Sequence, residues 1–226
     1  MKTIVVDSSS IITLSSSCLI RLMKHLANEE GISFVIPESV YNESVKRPVK
    51  IKRFELNAVR IRDAVEEGYL KLARTTPEIT REMHRMHDIT MRMCTIRGRE
   101  CRLVDLGEAE TLALAKKLGS DTLLIDERTT RTLIEGPDRL AEFLKRRHGV
   151  PVQLNKSAIS EFRQEFGHIK VIRSTELIAL AYDNRAFDKE LHHSKQALEA
   201  ALYSAKFAGC AISISEIQEY LKGVRT

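Results

Sequence analysis

The chain has 226 residues, a formal net charge of +5 and 43% hydrophobic residues, which is enough apolar material for a substantial core. No apolar run approaches the roughly 20 residues of a membrane-spanning helix, and the N-terminus shows no signal-peptide pattern, so the sequence predicts a soluble, cytoplasmic protein without a membrane partner. The mild positive charge favours an anionic partner such as nucleic acid without requiring one, although few aromatic side chains are available to stack on single-stranded bases.

The cysteines and histidines give weaker signals. The four cysteines form no CxxC pair, which favours reduced and mostly buried thiols. His84 and His87, taken together with Cys94 and Cys101, could be interpreted as a zinc set. Histidines at this spacing are common by chance and the two cysteines are not closely paired, so the interpretation has little support.

Two stretches early in the chain place an acidic residue at the end of a predicted strand or in the first turns of a helix. Lys2 to Val6 is a β-branched run that ends in Asp7, and hydroxyl residues then cap the next predicted helix. The strand-like run 34–36 leads through Pro37 into a helix that carries Glu43. These positions lie where the ligand-binding edge of an open α/β sheet is expected.

The most informative stretch is 106–131. Leu112, Ala115 and Leu118 form an apolar helical stripe, and the helix is predicted to begin after Gly107, with Glu108 at its N-terminus. The apolar run 122–125 reads as a strand buried on both faces, and it ends in Asp126. Glu108 and Asp126 are therefore predicted to share one edge of the sheet.

The rest of the chain is predicted to be mainly helical. A basic stretch begins at Lys46, and it is either a solvated helix face or a wall that contacts phosphates. Further helices are predicted over 78–96, 138–148, 177–182, 197–208 and 213–226, and a last strand over 169–172. The predicted organisation is one domain over residues 1–180 and a helical C-terminal extension over residues 181–226.

Clustered carboxylates without Cys or His partners indicate a site for a hard cation, Mg²⁺ or Mn²⁺, because such acids repel one another unless a divalent ion neutralises them. An ion held in this way can activate water for phosphodiester hydrolysis. The competing interpretation is that these acids only cap helices. The candidate catalytic and metal-binding residues are Asp7, Glu43, Glu108 and Asp126.

Four segments occur in this order along the chain: IVVDSSSII (4–12), IPESVYNESV (36–45), LGEAETLALA (106–115) and TLLIDERTTR (122–131). Together they resemble the signature segments of PIN domains, which are small metal-dependent nucleases that often serve as the toxin half of toxin–antitoxin pairs, and the resemblance covers about residues 1–175. It implies an α/β, Rossmann-like three-layer fold with a mostly parallel sheet flanked by helices. It also implies that the four acids named above hydrolyse RNA to leave a 3′-hydroxyl and a 5′-phosphate, and that homodimers and an antitoxin partner are to be expected.

The sequence departs from this pattern in places. The third acid is a glutamate where many members have aspartate, Glu110 could substitute for it, and Glu127 could replace or assist Asp126. The helical tail has no counterpart in compact toxins. The residues predicted to contact nucleic acid are Ser9, Lys46, Arg47, Lys50, Arg128 and Arg131.

Two other functions remain open at this point. The same edge could serve a non-catalytic RNA-binding or processing adaptor, which predicts salt-sensitive RNA binding without cleavage. A phosphatase-like hydrolase is the third possibility, but no second aspartate stands two residues after Asp7, as its nucleophile motif would need.

Overall fold

A computed structural model describes residues 2–136 and 139–223 of the chain, so the predicted helices 138–148 and 213–226 each extend outside the described residues. The described strands are β1 (Thr3–Val6), β2 (Ser33–Pro37), β3 (Leu70–Ala73), β4 (Cys94–Ile96), β5 (Arg99–Glu100), β6 (Thr122–Leu124), β7 (Val152–Leu154) and β8 (Lys170–Ile172).

The described helices are α1 (Ser8–Ser16), α2 (Leu22–Glu30), α3 (Glu38–Tyr41), α4 (Lys52–Glu66), α5 (Pro77–Arg92), α6 (Leu106–Leu118), α7 (Arg128–Glu135), α8 (Leu140–His148), α9 (Lys156–Phe166), α10 (Ser174–Asp183), α11 (Lys195–Ala208) and α12 (Ile214–Gly223). A π-helical turn occupies Asn42–Lys46, and 3₁₀ turns occupy Pro48–Lys50 and Ala186–Lys189. None of the helices in these ranges is long and apolar enough to cross a lipid bilayer.

The central sheet has five parallel strands in the order β3-β2-β1-β6-β8, as the α/β prediction requires. β1 pairs with β2 on one side and with β6 on the other, with Val5 opposite Val35 and Leu123. The chain therefore runs outward from β1 to β3 on one side and then crosses over to build β6 and β8 on the other. This reversal makes the carboxyl ends of β1 and β6 the topological switch point of the sheet, where open α/β folds bind their ligands.

Helices cover both faces of the sheet because successive strand residues point to opposite sides. Ile4 and Val6 of β1 face one core, which is completed by α1, α2 and the C-terminal helices. Val5, between them in the chain, faces a second core formed with α5, α6, α8 and α9. The predicted three-layer α/β architecture is confirmed.

The C-terminal helices pack into the first of these cores. Leu202 and Ala205 of α11 and Ile217 of α12 are buried in the same cluster as Leu14 of α1. The predicted boundary at residue 180 falls within α10. Residues after 180 thus share apolar contacts with the sheet-bearing part of the chain.

The prediction of one helix over 78–96 was wrong at its C-terminal end. The helix stops at Arg92, and Cys94–Ile96 forms the central strand of a small antiparallel sheet with β5 and β7. Arg97 and Gly98 connect β4 to β5 with φ angles of 53° and 75°. Positive φ at both central residues is typical of a tight hairpin turn, and a glycine tolerates that conformation without strain.

Candidate functional site

Asp7 follows β1 directly and caps α1. Its Oδ2 accepts hydrogen bonds from the backbone N–H and the hydroxyl of Ser9, at 3.0 and 2.7 Å. The side chain is 2% exposed, so these two donors replace most of its contact with water. An aspartate is favoured here because a short acceptor can reach the N–H groups that begin a helix.

Asp126 follows β6 and is joined to Asp7 through Ser9. The Asp126 backbone N–H donates to Ser9 Oγ at 3.1 Å, while that hydroxyl donates to Asp7. The carboxylate of Asp126 is turned the other way: Oδ1 accepts from the Ser174 backbone N–H at 2.7 Å, and Oδ2 accepts from the Ser174 hydroxyl at 2.8 Å. Both Asp126 and Ser174 are buried, so Asp126 anchors the start of α10 beneath the site.

The Cys210 thiol lies close to the Asp126 carboxylate. Burial, followed by the negative charge of Asp126, raises the pKa of Cys210 to about 12. The hydrogen bonds from Ser174 direct the Asp126 carboxylate toward this buried side of the sheet edge.

Glu108 lies in the first turn of α6, and both of its carboxylate oxygens are held. Asp105 caps the helix and exchanges hydrogen bonds with Glu108 in a reciprocal capping box, with the Asp105 N–H donating to Oε2 at 2.8 Å. The Thr130 hydroxyl donates to Oε1 at 2.6 Å. The helix thus begins at Leu106, and Gly107 lies inside its first turn, which corrects the predicted start after Gly107.

Thr130 also connects Glu108 to Glu127. The Thr130 backbone N–H donates to Glu127 Oε2 at 2.8 Å, which caps α7, while its hydroxyl donates to Glu108. Glu127 and Glu108 line the same cleft, which has a volume of about 540 Å³. Of the two acids that follow β6, Glu127 therefore faces the cleft and Asp126 faces the core.

Glu43 reaches the same helix terminus from the π turn that follows α3. Its Oε2 would lie 3.6 Å from a Cβ placed at Gly107, so the Glu43 carboxylate lies against the first turn of α6. The π turn adds one residue to the helical repeat, a feature that recurs at functional sites. Pro48 ends the turn because it has no N–H with which to continue a helix.

Glu110 does not join this group. It lies one half-turn after Glu108 on α6 and is 4% exposed, with Oε2 accepting from the Ser39 backbone N–H at 3.0 Å and Oε1 accepting from the Thr75 hydroxyl. Glu110 therefore ties α6 to the start of α3 and to the segment after β3. These hydrogen bonds account for the burial of its carboxylate and give Glu110 a structural role.

Burial and neighbouring negative charges raise the pKa values of Asp7 and Glu108, the two inner acids of the site. Burial raises the pKa of Asp7 to about 6, against the hydrogen bonds from Ser9 and with a further upward push from the charge of Glu43. Burial also raises the pKa of Glu108 to about 8, and the charge of Asp7 adds to it. The charge of Glu43 thus disfavours ionisation of Asp7, and the charge of Asp7 disfavours ionisation of Glu108; a bound cation would offset both effects.

The candidate ligands Asp7, Glu43 and Glu108 offer carboxylate oxygens, which suit a hard divalent cation. Within residues 2–136 and 139–223, however, no three His, Cys, Asp or Glu side chains are grouped in an arrangement that could hold an ion. Asp7 and Glu108 are fixed by hydrogen bonds, whereas Glu43 is exposed on the π turn. Glu43 can change its rotamer without breaking a core contact.

The residues predicted to contact nucleic acid lie in different surroundings. Lys46, Arg47 and Lys50 are exposed on the turns after Glu43, and Arg128 is exposed at the start of α7. Arg131 is largely buried and donates to the Ala211 carbonyl at 3.4 Å. The Ser9 hydroxyl is engaged between Asp7 and Asp126, which gives it a positioning role in this structure.

Sequence reasoning missed Asp105 and Thr130, the two residues that orient Glu108. The signal for Asp105 was present, because aspartate followed three residues later by glutamate is a capping-box pattern. No local signal marks Thr130. Its contact with Glu108 depends on how α7 packs beside α6.

Without divalent metal, the free energy of unfolding is expected to fall as pH rises from 4.5 to about 8. In that window the unfolded chain has released the Glu108 proton that the folded protein still holds, so rising pH favours the unfolded state. Glu108 is expected to lower the free energy of unfolding by about 2 kcal/mol over this interval. The effect is no larger because water reaches part of this half-buried carboxyl and screens its charge.

Urea denaturation in EDTA at pH 5 and pH 8 measures this effect. Glu108→Gln keeps an acceptor for Thr130 but cannot ionise, so its stability should change less over the same interval. Equal pH dependence in the two proteins would contradict the prediction.

The chain was compared with protein-family models and with curated proteins. The family model described as a PIN domain matches residues 3–135, a range that contains Asp7, Glu43, Glu108 and Asp126. No curated protein matches the chain significantly.

Proposed function

The chain belongs to the PIN-domain family, and from this premise we propose that it is a divalent-metal-dependent endoribonuclease. PIN domains are generally nucleases. The observation that carries the proposal is the closeness of Asp7 and Glu108 at the switch point of the sheet, where the negative charge of Asp7 adds to burial in raising the pKa of Glu108. Two acids that only capped their own helices need not lie close enough for this effect.

Asp7, Glu43 and Glu108 would hold the ion, Mg²⁺ or Mn²⁺, and Glu127 is near enough to Glu108 to complete the set. When bound, such an ion supplies a water of lowered pKa and stabilises negative charge on the leaving oxygen. Asp126 contributes indirectly in this proposal, because its backbone N–H orients Ser9 and Ser9 orients Asp7.

Hydrogen bonds from neighbouring residues fix the orientation of the Glu108 and Asp7 carboxylates before any ligand binds. Thr130 and Asp105 hold the two oxygens of Glu108, and Ser9 holds one oxygen of Asp7, so the inner acids lose little freedom when they bind a ligand. Both acids must be deprotonated to ligate an ion, so we expect ion binding to release protons near neutral pH.

RNA is the proposed substrate, and exposed basic residues flank the acids. Lys46, Arg47 and Lys50 follow Glu43 on the same connection, where they can contact phosphates on that side of the site. Positive groups beside the acids counter the repulsion that a polyanion would otherwise meet there.

Incubation of the purified protein with single-stranded RNA tests the proposal. Cleavage is expected with Mg²⁺ or Mn²⁺, with 5′-phosphate and 3′-hydroxyl ends, and none is expected in EDTA. Cleavage that persists in EDTA would refute metal dependence. Salt-sensitive binding without any cleavage would instead support the non-catalytic RNA-binding adaptor.

A further inference from the structure

A second concave surface, the arginine groove, lies between α7 and α8 and has a volume of about 800 Å³. The groove is open along one side and lined mainly by charged side chains. Five arginines line it: Arg128, Arg131, Arg139, Arg146 and Arg147. Such a concentration of guanidinium groups is typical of surfaces that bind phosphate.

Two of the five arginines are neutralised within the groove. Arg131 pairs with Glu135 at 3.5 Å, and Arg146 pairs with Glu142 one turn away on α8. Arg131 is also tied to the Ala211 carbonyl. These pairs leave Arg128, Arg139 and Arg147 as the positive charges that the groove can offer to a ligand.

Of the remaining three, Arg128 and Arg139 make no ion pair within the described part of the chain, and Arg147 makes one long ion pair with Glu127. Arg128 stacks over the Phe143 ring, with its central carbon 5.1 Å from the ring centroid. A stacked guanidinium is held in one plane while its in-plane N–H groups stay available for hydrogen bonds. Arg139 is exposed, and the nearest acid to Arg147 is Glu127 at 3.9 Å.

Arg147 connects the arginine groove to the acid site. Its side chain lines both the groove and the cleft that contains Glu108 and Glu127, and its Nη1 donates to Thr129 Oγ1 at 2.7 Å. The two concavities therefore share a wall. A strand that lies in the groove can continue past Arg147 to Glu108.

The two concavities differ in charge. The groove carries five arginines and two glutamates, whereas the cleft beside Glu108 carries four acids and three arginines, so a polyanion is attracted more strongly to the groove. A linear polyanion satisfies both surfaces if its flanking phosphates lie on the arginines and only the reacting phosphate enters the acidic cleft.

We propose that the arginine groove binds the backbone phosphates of single-stranded RNA that flank the scissile bond, through Arg128, Arg139 and Arg147. This inference rests on the proposed nuclease function only for the position of the scissile bond. Its own prediction concerns RNA binding. Because the contacts are to phosphates, they give affinity and position without base preference.

Fluorescence anisotropy with a labelled single-stranded RNA tests the groove separately from catalysis. The background is Asp7→Asn in EDTA, in which no cleavage is needed or expected. In that background Arg128→Gln/Arg139→Gln is expected to weaken binding roughly 10-fold, and to reduce the slope of log affinity against log salt by about 1.4, or about 0.7 per lost phosphate contact.

The matched control is Lys71→Gln/Arg81→Gln, which also removes two exposed positive charges. Lys71 lies on the edge strand β3, and Arg81 lies on α5 near the C-terminal half of α6, away from Glu108. The control should retain the affinity and the salt slope of the background protein to within about twofold.

Equal binding by the groove and control variants would overturn the proposal and leave the groove to another occupant, such as an acidic segment of a protein. Weaker binding by the groove variant alone would support it even if the wild-type protein cleaves no RNA. The groove and the nuclease can therefore fail independently.

Discussion

Asp7→Asn is expected to lower metal-dependent RNA cleavage by at least about 100-fold, the order of magnitude that one preorganised electrostatic group contributes to catalysis. The substitution removes a negative charge at the switch point of the sheet and changes little else. Asparagine is as good a helix cap as aspartate, and its amide oxygen can accept the hydrogen bonds that Ser9 donates to Asp7. The loss of activity should therefore occur without a large loss of stability.

Glu110→Gln is the matched control for this experiment. It neutralises a buried acid on the same helix as Glu108, but one that is bonded to Ser39 and Thr75. Initial cleavage rates and thermal melting curves are measured for both variants, and opposite effects on activity and stability are expected. Asp7→Asn should lose activity and keep its melting temperature, and Glu110→Gln should keep activity and lose stability. Full activity in Asp7→Asn, or an equal loss of activity in Glu110→Gln, would refute the assignment of Asp7.

Local sequence patterns were sufficient for the parts of the site that local structure determines. Asp7 follows a β-branched strand and Glu108 lies in the first turn of a largely apolar helix, so each position is fixed by residues within one or two turns of it. The parallel sheet followed from the same patterns, because short apolar runs alternated with helices. The prediction of a parallel sheet is confirmed by the strand order.

The orientation of Asp126 could not be predicted in this way. Its position after β6 follows the pattern, but its carboxylate is directed by Ser174, which lies 48 residues further along the chain. Only the packing of α10 against the sheet brings the two together. Without that contact, Asp126 and Glu127 are equally good candidates for the cleft, and the structure places Glu127 there.

The small antiparallel sheet was missed for a similar reason. Methionines at helical spacing continue up to Met93, so the pattern alone extends the helix, and the pairing that ends it is with Val152–Leu154. A strand that gains its hydrogen bonds from residues so distant has little local signal.

Asp126→Ala is expected to lower the free energy of unfolding by about 2–4 kcal/mol. This is the cost of removing the carboxylate that accepts hydrogen bonds from the buried N–H and hydroxyl of Ser174. Ser174 is fully buried, and both its N–H and its hydroxyl donate to Asp126. Removal of the carboxylate leaves the first N–H of α10 unsatisfied in the core. Urea denaturation in EDTA, where no ion contributes to stability, measures the loss.

Ser174→Ala separates the two hydrogen bonds. It removes only the hydroxyl and keeps the backbone N–H bonded to Asp126, so its expected cost is about 1 kcal/mol. The double variant should cost less than the sum of the single variants, because the hydroxyl bond is lost only once. If Asp126 were instead a direct ligand of the ion, repelled by the other acids when no metal is bound, Asp126→Ala would raise stability in EDTA. The sign of the change thus decides whether Asp126 supports the site from below or belongs to it.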